Sequence, residues 1–404
     1  MRKLSDYSRI VDDSEIAGIY RKASNFYGRH IVNFNSTFQG GGVAEILYSL
    51  LPLMNDAGLY AEWRTLYGSP DFFMITKKFH NALQGDRINL TEVKRRLYIQ
   101  ASETFSVFNH LNHDCVIVHD PQPLPLVFFY RKKQPWIWRC HIDLSSPRPE
   151  LWEFLKKFIL RYDQVVISHE QYRKADLPVP QRVIPPAIDP LTPKNMDLGE
   201  DDVQKYLRKY GVPTDKPLLA QISRFDRHKD PEGVLRVFNK VRECADCRLV
   251  LCGSMASDDP EGIKVYEQIE RKAGRLIEDK KVILLTVENN ILVNALQRTA
   301  SVIIQKSLKE GFGLTVTEAL WKAKPVVASN AGGIPLQIQD GVSGFLLDAK
   351  DEDGFADRIV RILENKDLGR RLGAAGREIV RKNYLITRLL SDYMDLLADV
   401  MKKV

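Results

Sequence analysis

A chain of 404 residues, 44% hydrophobic and 27% charged, has the composition of a globular protein and is too long for one ordinary domain, so two domains are expected. No apolar run reaches the roughly 18 residues of a membrane span, and no apolar signal core follows the N-terminus, which predicts a cytoplasmic protein without membrane contact. The net charge is +7, and the 59 Lys and Arg residues are interleaved with 52 acidic residues along the chain. This pattern favours solvated faces and small phosphate ligands over nucleic acid.

In chain order, the first half alternates short β-branched or aromatic runs with helical stretches. The predicted strands span residues 30–34, 115–119, 136–138 and 164–167, and the clearest helices span 44–54 and 152–160. This alternation is typical of a parallel sheet that helices cover on both faces.

The second half repeats the scheme, with predicted strands at residues 217–222, 248–251, 282–285, 302–304 and 325–328. Four prolines within residues 184–193 cannot continue a helix and indicate an interdomain linker. From residue 376 the pattern is helical to the end, and its apolar stripe could cap the second domain or return to the first. We therefore expect a first domain of residues 1–190, joined by 384–404, and a second of residues 191–383.

Open parallel sheets bind ligands beyond the carboxyl ends of their strands, which directs attention to the residues after each strand and to a cleft between the domains. Asn35-Ser-Thr-Phe-Gln-Gly-Gly-Gly-Val-Ala-Glu45 follows the first strand and opens a helix. Its glycines would let backbone N–H groups approach an anion, although a plain flexible turn is the alternative. The spacing matches neither G-x-G-x-x-G nor a P-loop, which disfavours dinucleotide dehydrogenases and P-loop NTPases.

Two further motifs follow strands of the second domain. Arg224-Phe-Asp-Arg-His-Lys229 offers two cations on one loop, which suits a diphosphate, with a solvated surface loop as the alternative. In Glu310-Gly-Phe-Gly-Leu-Thr-Val-Thr-Glu318, the two glycines permit a tight turn before a predicted helix at residues 315–321. The two carboxylates suit paired sugar hydroxyls, and surface charges beside a helix terminus are the alternative.

Five cysteines form an odd set, which argues against a disulfide framework. Cys244-Ala-Asp-Cys247 has metal-like spacing but lacks a second ligand pair, so zinc is disfavoured and no metal site is predicted. A redox disulfide between these two residues stays open.

The second domain resembles the retaining nucleotide-sugar glycosyltransferases of the GT-B fold, through the two motifs above, Ala331-Gly-Gly-Ile-Pro335 and Asp340-Gly-Val-Ser-Gly-Phe345. The resemblance implies two Rossmann-like α/β domains facing a central cleft. It also implies that Arg224 and Lys229 hold the donor diphosphate, that Glu310 and the following turn grip the sugar, and that Glu318 binds the ribose. The candidate donor-binding residues are Gly41, Gly42, Arg224, Lys229, Glu310, Gly311, Phe312, Gly313, Leu314, Thr315 and Glu318.

The first domain is similar to the trehalose glycosyltransferring synthases in four segments: residues 35–45, Thr76-Lys-Lys-Phe-His-Asn-Ala-Leu-Gln84, His119-Asp-Pro-Gln-Pro123 and Trp136-Ile-Trp-Arg-Cys-His-Ile-Asp-Leu-Ser-Ser-Pro147. Those enzymes join glucose from a nucleotide diphosphate glucose to free glucose. The candidate acceptor-binding residues are Asn35, Gln39, Glu45, Asp120, His141 and Asp143, and the candidate catalytic residues are Glu310, His141, Asp120, Arg224 and Lys229.

The resemblance also implies partners and a mechanism. The substrates would be ADP-glucose or UDP-glucose and glucose, with trehalose as product, a homodimer as the assembly, no tightly bound cofactor, and Mg²⁺ as a stimulant. Transfer would retain the α configuration by front-face attack, with Glu310 as an electrostatic and positioning residue. His228 and Asp230 around Lys229, and Ser307-Leu-Lys309 before the donor turn, depart from the expected pattern and obscure the nucleobase preference.

Other functions stay open at this point. A GT-B transferase could use another sugar or a glucan as acceptor, a noncatalytic protein could bind nucleotide sugars, and a two-domain epimerase could act without an acceptor. A transferase would need its cleft to close against water, with a hinge near residues 185–193.

Overall fold

The computed structural model describes residues 2–38, 40–253 and 260–402, apart from the side chains of Pro260 and Glu261. The chain forms two compact units, Met1–Ala187 with Leu385–Val404, and Ile188–Tyr384. The chain thus changes unit within the proline-rich segment, after Ala187, and again after Tyr384; the sequence placed these two points after residues 190 and 383.

The first unit is built on a six-stranded parallel sheet in the order β2-β1-β3-β4-β5-β6. Its strands are β1 His30–Asn35, β2 Tyr60–Thr65, β3 Cys115–His119, β4 Trp136–Arg139, β5 Gln164–Ile167 and β6 Gln181–Val183. Its helices are α1 Asp13–Ala23, α2 Gly42–Asp56, α3 Pro70–Leu83, α4 Glu92–Phe108 and α5 Pro149–Ile159. Every residue of β3, β4 and β5 is buried, as in a sheet covered on both faces.

The second unit repeats this architecture with the strand order β12-β11-β10-β7-β8-β9, again all parallel. Its strands are β7 Leu218–Ile222, β8 Arg248–Cys252, β9 Val282–Leu285, β10 Val302–Gln305, β11 Val326–Ser329 and β12 Phe345–Leu347. Its helices are α6 Glu200–Lys209, α7 Pro231–Cys244, α8 Pro260–Glu278, α9 Asn290–Thr299, α10 Leu314–Trp321, α11 Glu352–Glu364 and α12 Lys366–Asn383. Two α/β units with parallel sheets confirm the predicted fold class.

The last helix, α13 Ile386–Met401, returns to the first unit and packs against α1 and α2. Lys22 of α1 pairs with Asp395 at 2.6 Å, and the Thr387 hydroxyl donates to Glu15 at 2.8 Å. The prediction of unbroken helix from residue 376 is wrong, because Tyr384 and Leu385 leave helical geometry where the chain changes unit.

Each sheet has a point where its strand order reverses. The connections diverge between β1 and β3 in the first unit and between β7 and β10 in the second. Doubly wound sheets bind ligands at such points, beyond the carboxyl ends of the strands. Candidate residues lie there in both units, since Asp120 follows β3 and Arg224 follows β7.

None of the helices that the structure describes is long and apolar enough to span a bilayer.

Candidate active site

In the second unit, the carboxylate of Glu310 is the centre of a polar cluster after β10. Its Oε2 accepts hydrogen bonds from Lys229 Nζ at 2.6 Å, Gln305 Nε2 at 3.2 Å and Ser307 Oγ at 3.1 Å. Glu310 is 8% exposed, so the carboxylate is held among these donors rather than in water. Two predicted donor-site residues that lie on different loops are therefore in direct contact, and the charge-assisted bond gives the carboxylate a defined position.

Lys229 reaches Glu310 because its loop is anchored on both sides. The backbone carbonyl of Lys229 accepts from Gln221 of β7 at 2.7 Å, and that of His228 accepts from Leu308 N at 2.7 Å. Asp226 caps the short turn at residues 227–229 by accepting from His228 N at 2.8 Å. The backbone of the basic loop is thus tied to β7 and to the segment after β10.

Arg224 has a different setting from Lys229. Its side chain is 46% exposed, and its Nη2 lies 3.5 Å from Asp226 Oδ2. An exposed guanidinium with one neighbouring acid can turn toward an anion at little cost. Arg224 is therefore available at the surface, whereas Lys229 is already paired with a buried carboxylate.

The turn between Glu310 and α10 depends on close backbone packing. Gly313 has φ 87° as the residue before the helix, a conformation that favours glycine. Gly333, in the Ala331-Gly-Gly-Ile-Pro335 motif, lies so near that a Cβ there would sit 2.9 Å from Phe312 Cα. Gln337 donates to Phe312 O at 2.6 Å and accepts from Thr317 Oγ1 at 2.6 Å. Residues 331–337 thus pack against the turn at residues 310–313 and hold it in place.

The remaining donor-turn residues lie at the start of α10. Leu314 is the first residue of the helix, and the Thr315 hydroxyl donates to Gln305 at 3.2 Å. Gly311 and Phe312 form the turn itself, with Phe312 4% exposed. Gln305 therefore contacts both Glu310 and the helix start, a bridging role that no motif in the sequence indicated.

Glu318, the predicted ribose ligand, is 1% exposed. Lys194 Nζ lies 3.3 Å from its Oε1, and Gln297 Nε2 donates to its Oε2 at 3.4 Å. Beneath it, the buried Lys322 donates to Glu318 O at 3.2 Å and to Asn195 at 3.0 Å. Burial lowers the pKa of Lys322 to about 7. A ribose that reached Glu318 would have to share the carboxylate with Lys194.

In the first unit, Asp120 and His141 are joined directly. Asp120 Oδ1 accepts from the backbone N–H of His141 at 2.7 Å, and Asp120 O accepts from Trp138 Nε1 at 3.0 Å. Asp120 has φ 62°, a left-handed conformation that a non-glycine residue adopts only when its surroundings hold it. Burial raises the pKa of Asp120 to about 7, although the His141 N–H and the charge of Arg139 act in the opposite direction.

The imidazole of His141 continues into a chain of buried polar groups. His141 Nε2 lies 3.0 Å from His119 Nδ1, and His119 Nε2 lies 3.0 Å from Asn33 Oδ1. Burial and, to a lesser extent, the Arg139 charge lower the pKa of His119 to about 3 and that of His141 well below its usual value. Sequence reasoning missed Asn33 as a functional candidate, although an asparagine within an apolar strand was a signal for a buried polar contact.

The other predicted acceptor residues have local roles. Asn35 is 3% exposed and donates to Thr37 O at 3.2 Å, while Asp143 accepts from Ser145 N at 2.7 Å. Glu45 is exposed in the first turn of α2. Gln39 lies outside the described residues. The structure therefore brings together Asp120 and His141, and leaves Asn35 at the end of β1, Glu45 on α2 and Asp143 after β4.

Gly41 and Gly42, which the sequence proposes as donor-binding residues, lie at the start of α2. Gly40 and Gly41 have φ angles of 75° and 83°, and a Cβ at either position would meet nothing within 4 Å. These glycines are therefore required by the backbone conformation of the turn rather than by crowding. Gly42 is the first residue of the helix, where unpaired N–H groups favour negative charge.

The cysteines do not form a metal centre in the described part of the chain. Cys244 is exposed and Cys247 is buried, and both are free thiols. Across residues 2–38, 40–253 and 260–402, no group of three or more His, Cys, Asp or Glu side chains could hold a metal ion.

Comparison with known proteins connects these two units to glycosyl transfer. The family "Trehalose synthase, N-terminal domain" matches residues 33–174, and "Glycosyl transferases group 1" matches residues 202–379. The trehalose synthase of Thermococcus litoralis is 45% identical over 400 residues, which cover 98% of this chain and 97% of the relative.

Solved structures support the fold. Sucrose-phosphate synthase from Thermosynechococcus elongatus has a TM-score of 0.74 at 16% identity, over 93% of this chain and 100% of its own. The α,α-trehalose-phosphate synthase (UDP-forming) from Burkholderia xenovorans, in complex with glucose-6-phosphate, has a TM-score of 0.72 at 15% identity, over 92% and 100% of the two chains. At these identities the likeness establishes the architecture alone.

Proposed function

Because the chain belongs to the trehalose synthase family of glycosyltransferases, we propose that it transfers glucose from ADP-glucose or UDP-glucose to free glucose and forms α,α-trehalose. The observation that carries the proposal is the Lys229–Glu310 pair, 2.6 Å long, at the reversal point of the sheet in the unit that matches group 1 glycosyltransferases. A cation and a carboxylate beside a helix terminus suit a diphosphate and the hydroxyls of its sugar.

The proposed reaction retains the α configuration. The bond between glucose C1 and the donor phosphate oxygen breaks, the bond between C1 and the acceptor oxygen forms on the same face, and the acceptor proton passes to the departing phosphate. Arg224, Lys229 and the first N–H groups of α10 would stabilise the charge on the leaving diphosphate, and electrostatic stabilisation of this kind is usually the largest catalytic contribution.

The contacts of Glu310 favour a positioning role over a nucleophilic one. Its Oε2 already accepts three hydrogen bonds, one of them from an ammonium group. Donors that neutralise and hold a carboxylate oxygen reduce its tendency to attack carbon. A covalent glucosyl-Glu310 adduct detected by mass spectrometry after reaction with a fluorinated donor would contradict this role.

The first unit would bind the acceptor sugar, with Asp120 and His141 as the residues that contact it. Asn35, Glu45 and Asp143 belong to the same proposal as neighbours of that region. The proposed enzyme needs no tightly bound cofactor. Mg²⁺ enters as a stimulant, since a divalent ion in solution can offset the charge that develops on a departing diphosphate. The homodimer also stays a prediction.

One set of incubations tests the proposal. The protein is incubated with ADP-, UDP- or GDP-glucose, with and without glucose, and in parallel with maltose alone, with glucose 1-phosphate plus glucose, and with a nucleotide glucose plus a short glucan. Disaccharides are identified by NMR of their anomeric protons. Trehalose that requires both a nucleotide glucose and glucose supports the proposal.

The other arms separate the alternatives. Trehalose from maltose alone would indicate an isomerase, trehalose from glucose 1-phosphate would indicate a phosphorylase, and an extended glucan would indicate another acceptor. If any of these results is obtained and no trehalose forms from a nucleotide glucose and glucose, the proposal is overturned. The absence of any transfer product would also overturn it. An epimerised nucleotide sugar formed without acceptor would do the same.

A further inference from the structure

Three polar side chains form a row across the first sheet at its reversal point: Asn33 on β1, His119 at the end of β3, and His141 two residues after β4. Asn33 lies opposite Ile117 in the register, and His119 is two residues further along the same strand, so both side chains are on one face. His119 in turn lies opposite Arg139, and His141 follows two residues later. The periodicity of parallel strands thus aligns Asn33, His119 and His141 in a row. The distances from Asn33 Oδ1 to His119 Nε2 and from His119 Nδ1 to His141 Nε2 are both 3.0 Å.

The orientation of the Asn33 side-chain amide determines which atom donates in each of these hydrogen bonds. Asn33 Nδ2 lies 3.5 Å from the backbone carbonyl of Glu62, which can only accept, so the amide nitrogen is turned toward β2. Asn33 Oδ1 therefore faces His119 Nε2 and accepts its proton. The opposite amide orientation would place two oxygens against each other.

A neutral imidazole carries one N–H, so a His119 that donates from Nε2 must accept at Nδ1. The donor at that end is His141 Nε2. Both rings are neutral, because their removal from water and, to a lesser extent, the nearby Arg139 guanidinium lower the pKa of each. Asn33 and His119 are 0% and 1% exposed, so water does not compete for these bonds.

The remaining nitrogen of His141 is then an acceptor. Nothing in the described part of the first unit donates a hydrogen bond to His141 Nδ1, and His141 itself is only half-buried. Its backbone is held separately, by the 2.7 Å bond from its N–H to Asp120. One hydrogen bond thus fixes the His141 backbone and another fixes its ring, and the ring offers a lone pair at the reversal point of the sheet.

We infer that Asn33 and His119 are positioning residues that hold His141 as its Nε2–H tautomer, so that Nδ1 accepts a hydrogen bond from a sugar hydroxyl. The role of the sugar rests on the proposed function, whereas the tautomer is a property of the protein alone. A neutral acceptor of this kind orients the hydroxyl and does not transfer a proton to the leaving group. A recognised hydroxyl that lost its acceptor would weaken sugar use by about tenfold to a hundredfold.

Two substitutions of His119 separate polarity from bulk. In His119→Gln, the amide nitrogen can donate to Asn33 and the amide oxygen can accept from His141, which preserves the direction of the chain. In His119→Leu, the side chain fills similar space but leaves His141 Nε2 without an acceptor. Asn33→Leu removes the group that sets the direction while leaving both histidines in place.

The test combines NMR with kinetics on the full-length protein labelled with ¹⁵N-histidine. Long-range ¹H–¹⁵N spectra identify which nitrogen of His141 carries the proton, with His141→Gln used for assignment. Wild type and His119→Gln should show a protonated Nε2 and an unprotonated Nδ1. His119→Leu and Asn33→Leu should show the other tautomer or a mixture, with kcat/KM for the sugar about tenfold to a hundredfold lower and the Kd for UDP or ADP unchanged.

A protonated Nδ1 in wild-type His141 would overturn the inference even if trehalose is formed. Equal spectra and equal kcat/KM in wild type and both leucine variants would also overturn it. If His119→Leu does not fold, the wild-type spectrum and Asn33→Leu still decide the question. Failure to make trehalose would remove the proposed function but leave the tautomer measurable, so the two conclusions fail independently.

Discussion

Replacing Glu310 by glutamine is the sharpest perturbation of the donor-side cluster. Glutamine keeps the shape of the side chain and an oxygen acceptor, but it removes the negative charge 2.6 Å from Lys229 Nζ. Breaking a buried ion pair by removing one partner costs about 3–5 kcal/mol. Here the amide oxygen can still accept from Lys229, so we expect a loss of about 2–3 kcal/mol in the free energy of unfolding.

The same change should affect ligand binding and turnover in opposite directions. In the proposed donor site of the wild-type protein, a nucleoside diphosphate would have to share Lys229 with the Glu310 carboxylate. In Glu310→Gln that competition is gone, so UDP or ADP should bind at least as tightly and raise the midpoint of thermal unfolding more than in wild type. Because an electrostatic group is lost from the transition state, kcat should fall about 10²- to 10³-fold.

Calorimetric titration of the diphosphate, thermal unfolding with and without it, and initial rates measure these effects. Ser307→Ala is the matched control, since it removes a 3.1 Å hydrogen bond to the same Oε2 without changing any charge. It should cost about 1 kcal/mol of stability and give no gain in diphosphate affinity. If Glu310→Gln loses diphosphate affinity by the same factor as kcat, the reasoning about shared charge is refuted.

Three further predictions concern pH, backbone and metal. Burial lowers the pKa of Lys322 from 10.5 to about 7, so between these pH values the unfolded chain binds more protons than the folded chain. The free energy of unfolding of wild type, relative to that of Lys322→Met, should therefore rise by about 1.4 kcal/mol per pH unit in this range. A difference independent of pH, measured by urea unfolding, would contradict this. Gly313→Ala places a Cβ at φ 87° and 3.3 Å from Glu310 Cγ, and should reduce the rate of transfer more than tenfold. The control Gly341→Ala, at φ 71° in open space, should transfer at the wild-type rate. Equal rates in the two variants would contradict the packing argument. EDTA should slow transfer without abolishing it, and complete loss that Mg²⁺ restores would indicate a bound metal.

The strands that could be predicted from the sequence are those that form continuous apolar or β-branched runs. Strands β3, β5 and β9 were predicted with their observed bounds, because their short runs are almost wholly apolar or β-branched. The missed strands β2, β6 and β12 each lie at an edge of a sheet, as does β9, whose wholly apolar run still identified it. Edge strands such as Gln181–Val183 pair on one side only and carry polar residues, so the local pattern does not distinguish them from a loop.

The sequence by itself determined the class of fold and the loops on which the candidate groups lie, because both follow from local features: the alternation of apolar runs, the glycines of tight turns, and the motifs after each strand. Tertiary structure alone decided which of these groups meet. Glu310 and Lys229 are 81 residues apart, and His119 and Asn33 are 86 apart, yet each pair is within hydrogen-bond distance. Their contacts arise from strand order and register, which depend on packing across the whole sheet rather than on neighbouring residues.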